Sequence, residues 1–241
     1  MGVHIVGLGT IINVAAILAA GLIGMTVGRF LNERLENIAV QACGVSTLFI
    51  GISGTLRRML VVTPEGIVTQ GELMLIISMV LGSLIGEILN IQQRLEDFGT
   101  FLRDKSGNKG EGGFVDAFLT ASLTVCIGAM AIIGAIQDGI YGDYSILAAK
   151  SVLDFVIVIV MTASLGKGAI FSAVPVGIVQ GTFTLLARLI EPVLTQDALS
   201  NSALVGNVMI FCVGLNLLWK NKIRVANMLP GLVIAVIFSF F

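Results

Sequence analysis

The stretch MGVHIVGLGTIINVAAILAAGLIGMTVG (residues 1–28) stays apolar for more than 20 consecutive residues and carries no Lys or Arg. An α-helix needs about 20 apolar residues to cross a hydrocarbon core of roughly 30 Å. A secretory signal peptide would begin with a positively charged region, which this stretch lacks. The stretch therefore predicts a first transmembrane helix and no removable targeting segment.

The rest of the chain has the same apolar character. Hydrophobic residues make up 56% of its 241 residues and charged residues 12%, with a mean hydropathy of +1.00, whereas soluble domains carry about 25% charged residues. These values predict an all-α, polytopic transmembrane helix bundle that forms a single integral membrane domain (1–241). Hydropathy predicts about eight spans, with seven as the alternative, at 5–28, 38–56, 69–90, 115–137, 145–165, 168–190, 201–219 and 224–240.

The orientation follows from Lys and Arg, which accumulate in cytoplasmic loops. One set of alternate loops holds ten of them: Arg29, Arg34, Arg94, Arg103, Lys105, Lys109, Lys167, Lys220, Lys222 and Arg224. The other set holds four: Arg57, Arg58, Lys150 and Arg188. We expect the first set to be cytoplasmic and both termini to lie outside.

The longest polar segment, 91–113, joins the third and fourth predicted spans on the cytoplasmic side. Apolar residues recur at helical spacing in its first half, which predicts an amphipathic helix on the membrane surface. Its second half, GNKGEGG (107–113), lacks the lysine followed by Ser or Thr of a phosphate-binding loop and is interpreted as a linker.

Small residues recur every four positions in three spans: Ala20, Gly24, Gly28; Ser78, Gly82, Gly86; and Ala173, Gly177, Gly181. Such ladders allow helix backbones to approach closely within a membrane. We expect ordinary bundle packing, and a homo-oligomer interface through a Gly-rich helix face is the alternative.

A weak internal similarity links TIINVAAI (10–17) with SVLDFVIV (151–158). It supports the hypothesis of two pseudo-repeated halves of four spans each. An even number of spans per half would give both halves the same orientation. In that arrangement Asn13 and Asp154 occupy equivalent positions.

Two charges lie in the fifth predicted span. Lys150 and Asp154 are four residues apart and share one helix face. Lys150 lies near the outer end, where its long side chain can snorkel to the headgroups. Asp154 lies near the bilayer midplane, where a carboxylate costs roughly 2.5–3.5 kcal/mol on insertion scales. Two interpretations stay open: a structural ion pair or helix cap, and a group that binds or moves a solute, an ion or a proton.

Other polar residues are candidates for the same path. Asn13, Gln180 and Asn216 are amides inside predicted spans, where they can join helices or line a polar path. Glu87 lies near the cytoplasmic end of the third span and is a further candidate.

Two aspartates flank a turn between the fourth and fifth spans. Asp138 and Asp143 lie in QDGIYGDYS (137–145), on the outer side of the predicted bundle. We interpret both as solvated loop residues.

Catalytic and metal-binding patterns are missing from the sequence. His4 is the one histidine, so chemistry that pairs a histidine with serine or cysteine is not expected. Cys43, Cys126 and Cys212 each lie close to a glycine in an apolar segment and are interpreted as packing residues. We expect no enzyme activity, metal or cofactor. The net charge of −1 makes nucleic acid an unsuitable partner.

Several motifs together resemble a known family. They are GTIIN (9–13), LGSLIGEIL (81–89), CIGAMAIIGAIQDGIYGD (126–143), AKSVLD (149–154), VQGTFTL (179–185), GLNLL (214–218) and KIRVANMLP (222–230). The chain resembles, nearly end to end, the bacterial membrane proteins catalogued as domain of unknown function 554. The resemblance implies a multi-pass protein of the bacterial cytoplasmic (inner) membrane and implies no activity. It also places five candidates in recurrent motifs: Asn13, Glu87, Lys150, Asp154 and Gln180.

The leading functional hypothesis is a small secondary transporter, or an ion- or proton-coupled carrier, with Asp154 near the centre of its path. Lys150 would adjust the ionisation of that carboxylate, because a nearby cation favours the charged form and desolvation opposes it. The partners would be membrane lipid and a small solute or ion. The alternatives are a non-transporting assembly or sensor module, which would signal through residues 91–104, and an ion channel.

Overall fold

A computed structural model describes residues 6–30, 32–64, 66–108, 112–127, 129–190, 195–219 and 223–240. The predictions that concern His4, Lys109, Lys220 and Lys222 lie outside the described residues. The helices are α1 (Leu8–Gly28), α2 (Glu33–Met59), α3 (Glu72–Ile88), α4 (Ile91–Lys105), α5 (Phe114–Cys126), α6 (Ala129–Tyr141), α7 (Ser145–Leu165), α8 (Ala173–Leu185), α9 (Ala187–Ile190), α10 (Gln196–Trp219) and α11 (Pro230–Ile237). Three short 3₁₀ segments accompany them: Lys167–Ser172, Val225–Met228 and Phe238–Phe240.

The predicted all-α transmembrane bundle is confirmed. Five helical segments are long and apolar enough to cross a membrane, and the number reaches seven if two bent helix pairs each form one span. The C-terminal helical segment Val225–Phe240 is shorter. The count of eight spans therefore stays a prediction.

One antiparallel hairpin interrupts the helices. Strand β1 (Leu60–Thr63) pairs with β2 (Gly66–Thr69), and Val61 lies opposite Val68 in the register. Hydropathy alone predicts only a plain loop at this place, between the second and third spans.

The fourth predicted span, 115–137, is not one continuous helix. Helix α5 ends at Cys126, and α6 begins three residues later with a bend of 61° between them. Ile127 has an extended backbone, with ψ at 114°. Val, Cys and Ile are weak helix formers, so the VCI sequence at 125–127 is a physically reasonable place for the break.

The first part of the segment 91–113 forms helix α4, which is bent by 56° from α3. Its place on the cytoplasmic membrane surface stays a prediction. The bend occurs at Asn90, whose φ of 52° lies in the left-handed region. Asn tolerates this conformation better than most residues because its short side chain bonds locally.

The contacts divide the chain into two compact units. The first comprises Met1–Cys43 with Glu96–Pro192, and the second comprises Gly44–Leu95 with Val193–Phe241. Each unit combines segments from the N-terminal and C-terminal halves of the chain. The proposed repeat of two consecutive halves is not confirmed and stays a hypothesis.

In the first unit, α1 runs parallel to α7. A Cβ atom on Gly9 would lie 2.8 Å from Leu147, and one on Gly28 would lie 3.1 Å from the carbonyl oxygen of Ala163. The two helices therefore advance in the same direction along a seam of small residues. This is the direction that the first and fifth predicted spans require. Beside the seam lies an apolar core formed by Ile17, Ala20, Val125, Val158, Ala173 and Val176.

In the second unit, α3 packs antiparallel against α11 and the 3₁₀ segment before it. Gly82 faces the backbone of Gly231, and Gly86 faces the backbone of Asn227. The ladders on α1 and α3 thus serve packing within the chain. On α8, Gly177 lies near Val14, whereas Gly181 has no atom within contact distance. A homo-oligomer interface stays a prediction.

Candidate functional site

The two charges of α7 form a buried ion pair inside the first unit. Lys150 Nζ lies 2.5 Å from Asp154 Oδ2, and the two residues are only 6% and 3% exposed. Lys150 therefore turns into the protein, and the prediction that it snorkels to the headgroups is wrong. The reason is that two acceptors inside the unit, one carboxylate and one carbonyl oxygen, bind its ammonium group.

The carbonyl acceptor comes from the break between α5 and α6. Lys150 Nζ donates to the carbonyl oxygen of Val125 at 2.7 Å. Val125 belongs to the last turn of α5, where carbonyl groups have no intrahelical partner. The negative end of the helix dipole also attracts a cation at this place. The helix break thus supplies the second ligand of the buried ammonium.

Asn13 of α1 completes the group. Its Nδ2 donates to Asp154 Oδ2 at 3.0 Å, and the residue is fully buried. Asn13 and Asp154, which occupy equivalent positions in the hypothetical repeat, are therefore in direct contact. This contact follows from the parallel packing of α1 and α7, which brings these polar positions to the same level.

Buried polar atoms without partners are concentrated in the first unit. Nine side-chain atoms of the described residues are inaccessible and make no hydrogen bond, and all nine belong to Thr10, Asn13, Ser122, Asp138, Thr162, Ser172, Gln180 and Thr184. Most buried polar groups in proteins are hydrogen-bonded, because an unmade bond costs about 1–3 kcal/mol. A polar interior at membrane depth normally marks a functional region.

Gln180 is part of this polar interior. It is 1% exposed, and neither its amide oxygen nor its amide nitrogen has a partner. One turn before it on α8, Gly177 lies near Val14 of α1. Since Ile170 lies against Gly21, this part of the chain runs antiparallel to α1, and Gln180 lies about one turn beyond Val14 toward the N-terminus of α1. No hydrogen bond joins it to Asn13.

Asp138 is buried, which the sequence pattern did not predict. It is 0% exposed, and its Oδ2 accepts a hydrogen bond of 3.0 Å from the backbone nitrogen of Gly9 at the start of α1. The interpretation of Asp138 as a solvated loop residue is wrong, because α6 continues through it. A signal was available: Ala131, Ala135 and Asp138 recur at helical spacing, and all three are fully buried.

Asp143 is exposed, as expected from its place in the turn before α7. Its Oδ1 accepts a hydrogen bond of 3.0 Å from the backbone nitrogen of Ser145. That hydrogen bond holds the pKa of the Asp143 carboxyl below its ordinary value.

Two candidates, Glu87 and Asn216, belong to the second unit. Asn216 Nδ2 donates to the carbonyl oxygen of Ile223 at 2.7 Å, and its Oδ1 accepts from the nitrogen of the same residue at 2.9 Å. Glu87 is exposed and pairs with Arg224 and, at 2.6 Å, with Asn227. These bonds hold the two residues before the 3₁₀ segment Val225–Met228, Ile223 and Arg224, and Asn227 within it. The role of either residue in a polar path stays a prediction.

Together these features define an integral helical membrane protein whose first unit contains a buried, charged and partly unsatisfied polar site. The chain belongs to the family described as "Protein of unknown function (DUF554)", whose family model matches residues 8–240. The chain is similar to "Uncharacterized membrane protein YdfK" of Bacillus subtilis (strain 168), with 28% identity over 233 residues that cover 96% of this chain and 95% of the relative. It is also similar to "Uncharacterized protein YqgA" of Escherichia coli (strain K12), with 28% identity, 95% of this chain covered and 94% of the relative. No solved structure matches the chain.

Proposed function

We propose that the protein is a small secondary transporter, or an ion- or proton-coupled carrier, with Asp154 at the centre of its path. The observation that carries this proposal is the ion pair of Lys150 and Asp154, which is buried near the middle of α7 beside a helix break. Carriers often place their binding sites near the membrane midplane, where interrupted helices free backbone carbonyls.

The two acceptors of Lys150 suggest how the site works. When a proton or cation neutralises Asp154, the attraction between the carboxylate and the ammonium weakens. The carbonyl oxygen of Val125 still binds Lys150 in that state, so its charge is not left without a ligand. Asn13 keeps a hydrogen bond to the carboxyl group in either state, because its amide can donate or accept. The site can therefore bind and release a proton or cation at Asp154 while the ammonium of Lys150 keeps a ligand inside the protein.

The test is a flux measurement on purified protein in liposomes. Liposomes loaded with the pH-sensitive dye pyranine report proton movement, and ²²Na⁺ uptake reports cation movement. We expect flux in the wild type, no flux in Asp154→Asn, and normal flux in the matched variant Asp143→Asn at the exposed turn. Wild-type flux in correctly folded Asp154→Asn would contradict the mechanism, and the absence of flux in the wild type would contradict the function.

We further infer that the protein lies in the bacterial cytoplasmic membrane with both termini outside, contacts lipid, and has no enzyme activity. The excess of Lys and Arg in one set of loops supports this orientation. The two relatives come from bacteria, and one of them is named as a membrane protein.

A non-transporting assembly or sensor module is the second candidate, and helix α4 favours it. This helix is amphipathic and distinct from α3, and its Phe101 is 53% exposed and available to a partner. A strain that carries the protein without residues 92–109 would then show the same cellular phenotype as a strain that lacks the protein, and any flux in liposomes would be unchanged. Loss of flux together with the phenotype would contradict this candidate.

A further inference from the structure

Asp138 lies in a different electrostatic setting from Asp154. The ammonium of Lys150 neutralises Asp154 at 2.5 Å. Asp138, by contrast, forms no ion pair with any Lys, Arg or His in the part of the chain that the structure describes. Its Oδ2 accepts one backbone hydrogen bond from Gly9, and its Oδ1 has no partner. An ionised carboxylate buried in this way requires a compensating charge.

The last turn of α8 makes the need for a compensating positive charge at Asp138 greater. Gly139, the next residue after Asp138, is so close to α8 that a Cβ atom there would collide with the carbonyl oxygen of Thr184. Thr184 lies at the C-terminal end of α8, where the helix dipole is negative. A carboxylate beside a helix C-terminus is repelled. The N-terminus of α1 offsets this on the Oδ2 side, but no described group offsets it on the Oδ1 side.

Residues next to the two backbone contacts of the Asp138 region carry further oxygen atoms. The hydroxyl groups of Thr10 and Thr184 are buried and have no hydrogen-bond partner, and Gln180 lies one turn from Thr184 on α8 with its amide oxygen also unpaired. Thr10 follows Gly9, which binds Asp138, and Thr184 faces Gly139. Carboxylate, hydroxyl and carbonyl oxygens are the ligands that hard cations prefer.

We propose that Asp138, together with Thr10, Thr184 and the C-terminal turn of α8, binds a small hard monovalent cation, Na⁺. A single carboxylate balances a single positive charge, which favours a monovalent ion over a divalent one. The ion would serve as the coupling ion of the carrier, and in this respect the inference rests on the proposed function. Asp154 and Lys150 would then be left for the solute.

The site is tested by Na⁺ binding, which needs no transported solute. Purified protein in lipid nanodiscs is melted at increasing NaCl, with choline chloride added to keep the ionic strength constant. A ligand that binds the folded state raises Tm, and above its Kd the rise follows the logarithm of the ligand concentration. We expect this rise in the wild type and in Asp143→Asn, and its loss in Asp138→Asn, which keeps an oxygen that can accept from Gly9.

Thr184→Val provides a second variant that preserves shape and removes one oxygen. We expect its apparent affinity for ²²Na⁺, measured by scintillation proximity, to fall by roughly 10–100-fold. This variant keeps the test valid if Asp138→Asn does not fold. Na⁺ binding of wild-type strength in either variant would overturn the proposal. So would stabilisation by acid alone with no effect of Na⁺, since the ligand would then be a proton.

Binding and flux separate the two proposals. If Na⁺ binding depends on Asp138 but liposomes with the wild-type protein show no flux, the Na⁺ site is supported and the carrier function is contradicted. If flux depends on Asp154 and is unchanged in Asp138→Asn, the carrier function is supported and the role of Asp138 as a coupling-ion site is contradicted.

Discussion

The ammonium of Lys150 holds the polar site of the first unit together, because Asp154 and Val125 both bind it. We expect Lys150→Met to destabilise the protein by about 3–5 kcal/mol, since it leaves a buried carboxylate without its cation. The matched double variant Lys150→Met/Asp154→Leu removes both charges and should recover most of that loss. Unfolding in mixed micelles measures all the variants. A single variant as stable as the double variant would contradict a compensating role for Lys150.

The Asp143 carboxyl predicts a pH dependence at the start of α7. Its folded pKa lies below the ordinary value of 3.8, so the hydrogen bond to Ser145 stabilises the fold fully above that value. The contribution is lost as the pH falls through the lower, folded pKa. We expect Asp143→Ala to melt below the wild type at pH 7, and the difference to shrink below about pH 4. A difference in Tm that is constant from pH 7 to pH 3 would contradict this.

Single residues also show how far the sequence could predict the site. Asp154 was identifiable, because a carboxylate in the middle of a long apolar run is costly unless the protein binds it internally. Asp138 was interpreted as a loop residue because QDGIYGDYS has the composition of a turn, although its helical spacing from the buried Ala131 and Ala135 was a usable signal. The inward direction of Lys150 could not be predicted, since its acceptor on Val125 exists only because α5 ends there. Hydropathy indicates how deep in the membrane a residue lies, but it does not indicate whether its side chain points into the protein or towards the lipid.

At the scale of elements, the seam between α3 and α11 depends on the absence of a side chain at Gly86. A Cβ atom at this position would collide with the backbone of Asn227, and backbone cannot move aside as a flexible side chain can. We expect Gly86→Ala to cost about 1–3 kcal/mol, as overpacking usually does.

Gly181→Ala in α8 is the matched control for this seam. No atom lies within contact distance of its added methyl group, so the higher helix propensity of Ala should stabilise the protein by about 0.4–1 kcal/mol. Both variants are compared by thermal unfolding in the same detergent. If Gly86→Ala and Gly181→Ala changed the Tm by the same amount, the packing of α3 against α11 would not depend on the close approach of their backbones.

Elements also differ in how well their pattern predicts them. Helix α7 coincides with the predicted span 145–165, because one apolar run ends at a glycine, Gly166, with a φ of 104°. The break between α5 and α6 was not predicted, because hydropathy stays high across it. The hairpin had a signal in two β-branched runs on either side of Pro64 and Gly66. A prediction based on long apolar runs does not detect strands of four residues.

At the scale of the whole molecule, the parallel packing of α1 and α7 limits the topology. If both helices cross the membrane in the same direction, an odd number of spans lies between them. Three crossings, by α2, by α3 and by the pair of α5 and α6, satisfy this condition. The number of spans then depends on whether the segment Val225–Phe240 crosses the membrane. It would be about 24 Å long as a regular α-helix and somewhat longer where it forms 3₁₀ turns.

Eight spans require this last segment to cross. In a cysteine-free background, Val62→Cys in the hairpin and Phe240→Cys near the C-terminus should then both react with a membrane-impermeant maleimide in intact cells. Ser106→Cys, after α4, should react only once the membrane is permeabilised, because that loop is expected to be cytoplasmic. Phe240→Cys that reacts only after permeabilisation would instead mean that Val225–Phe240 turns back within the membrane, which leaves seven spans and places the C-terminus inside.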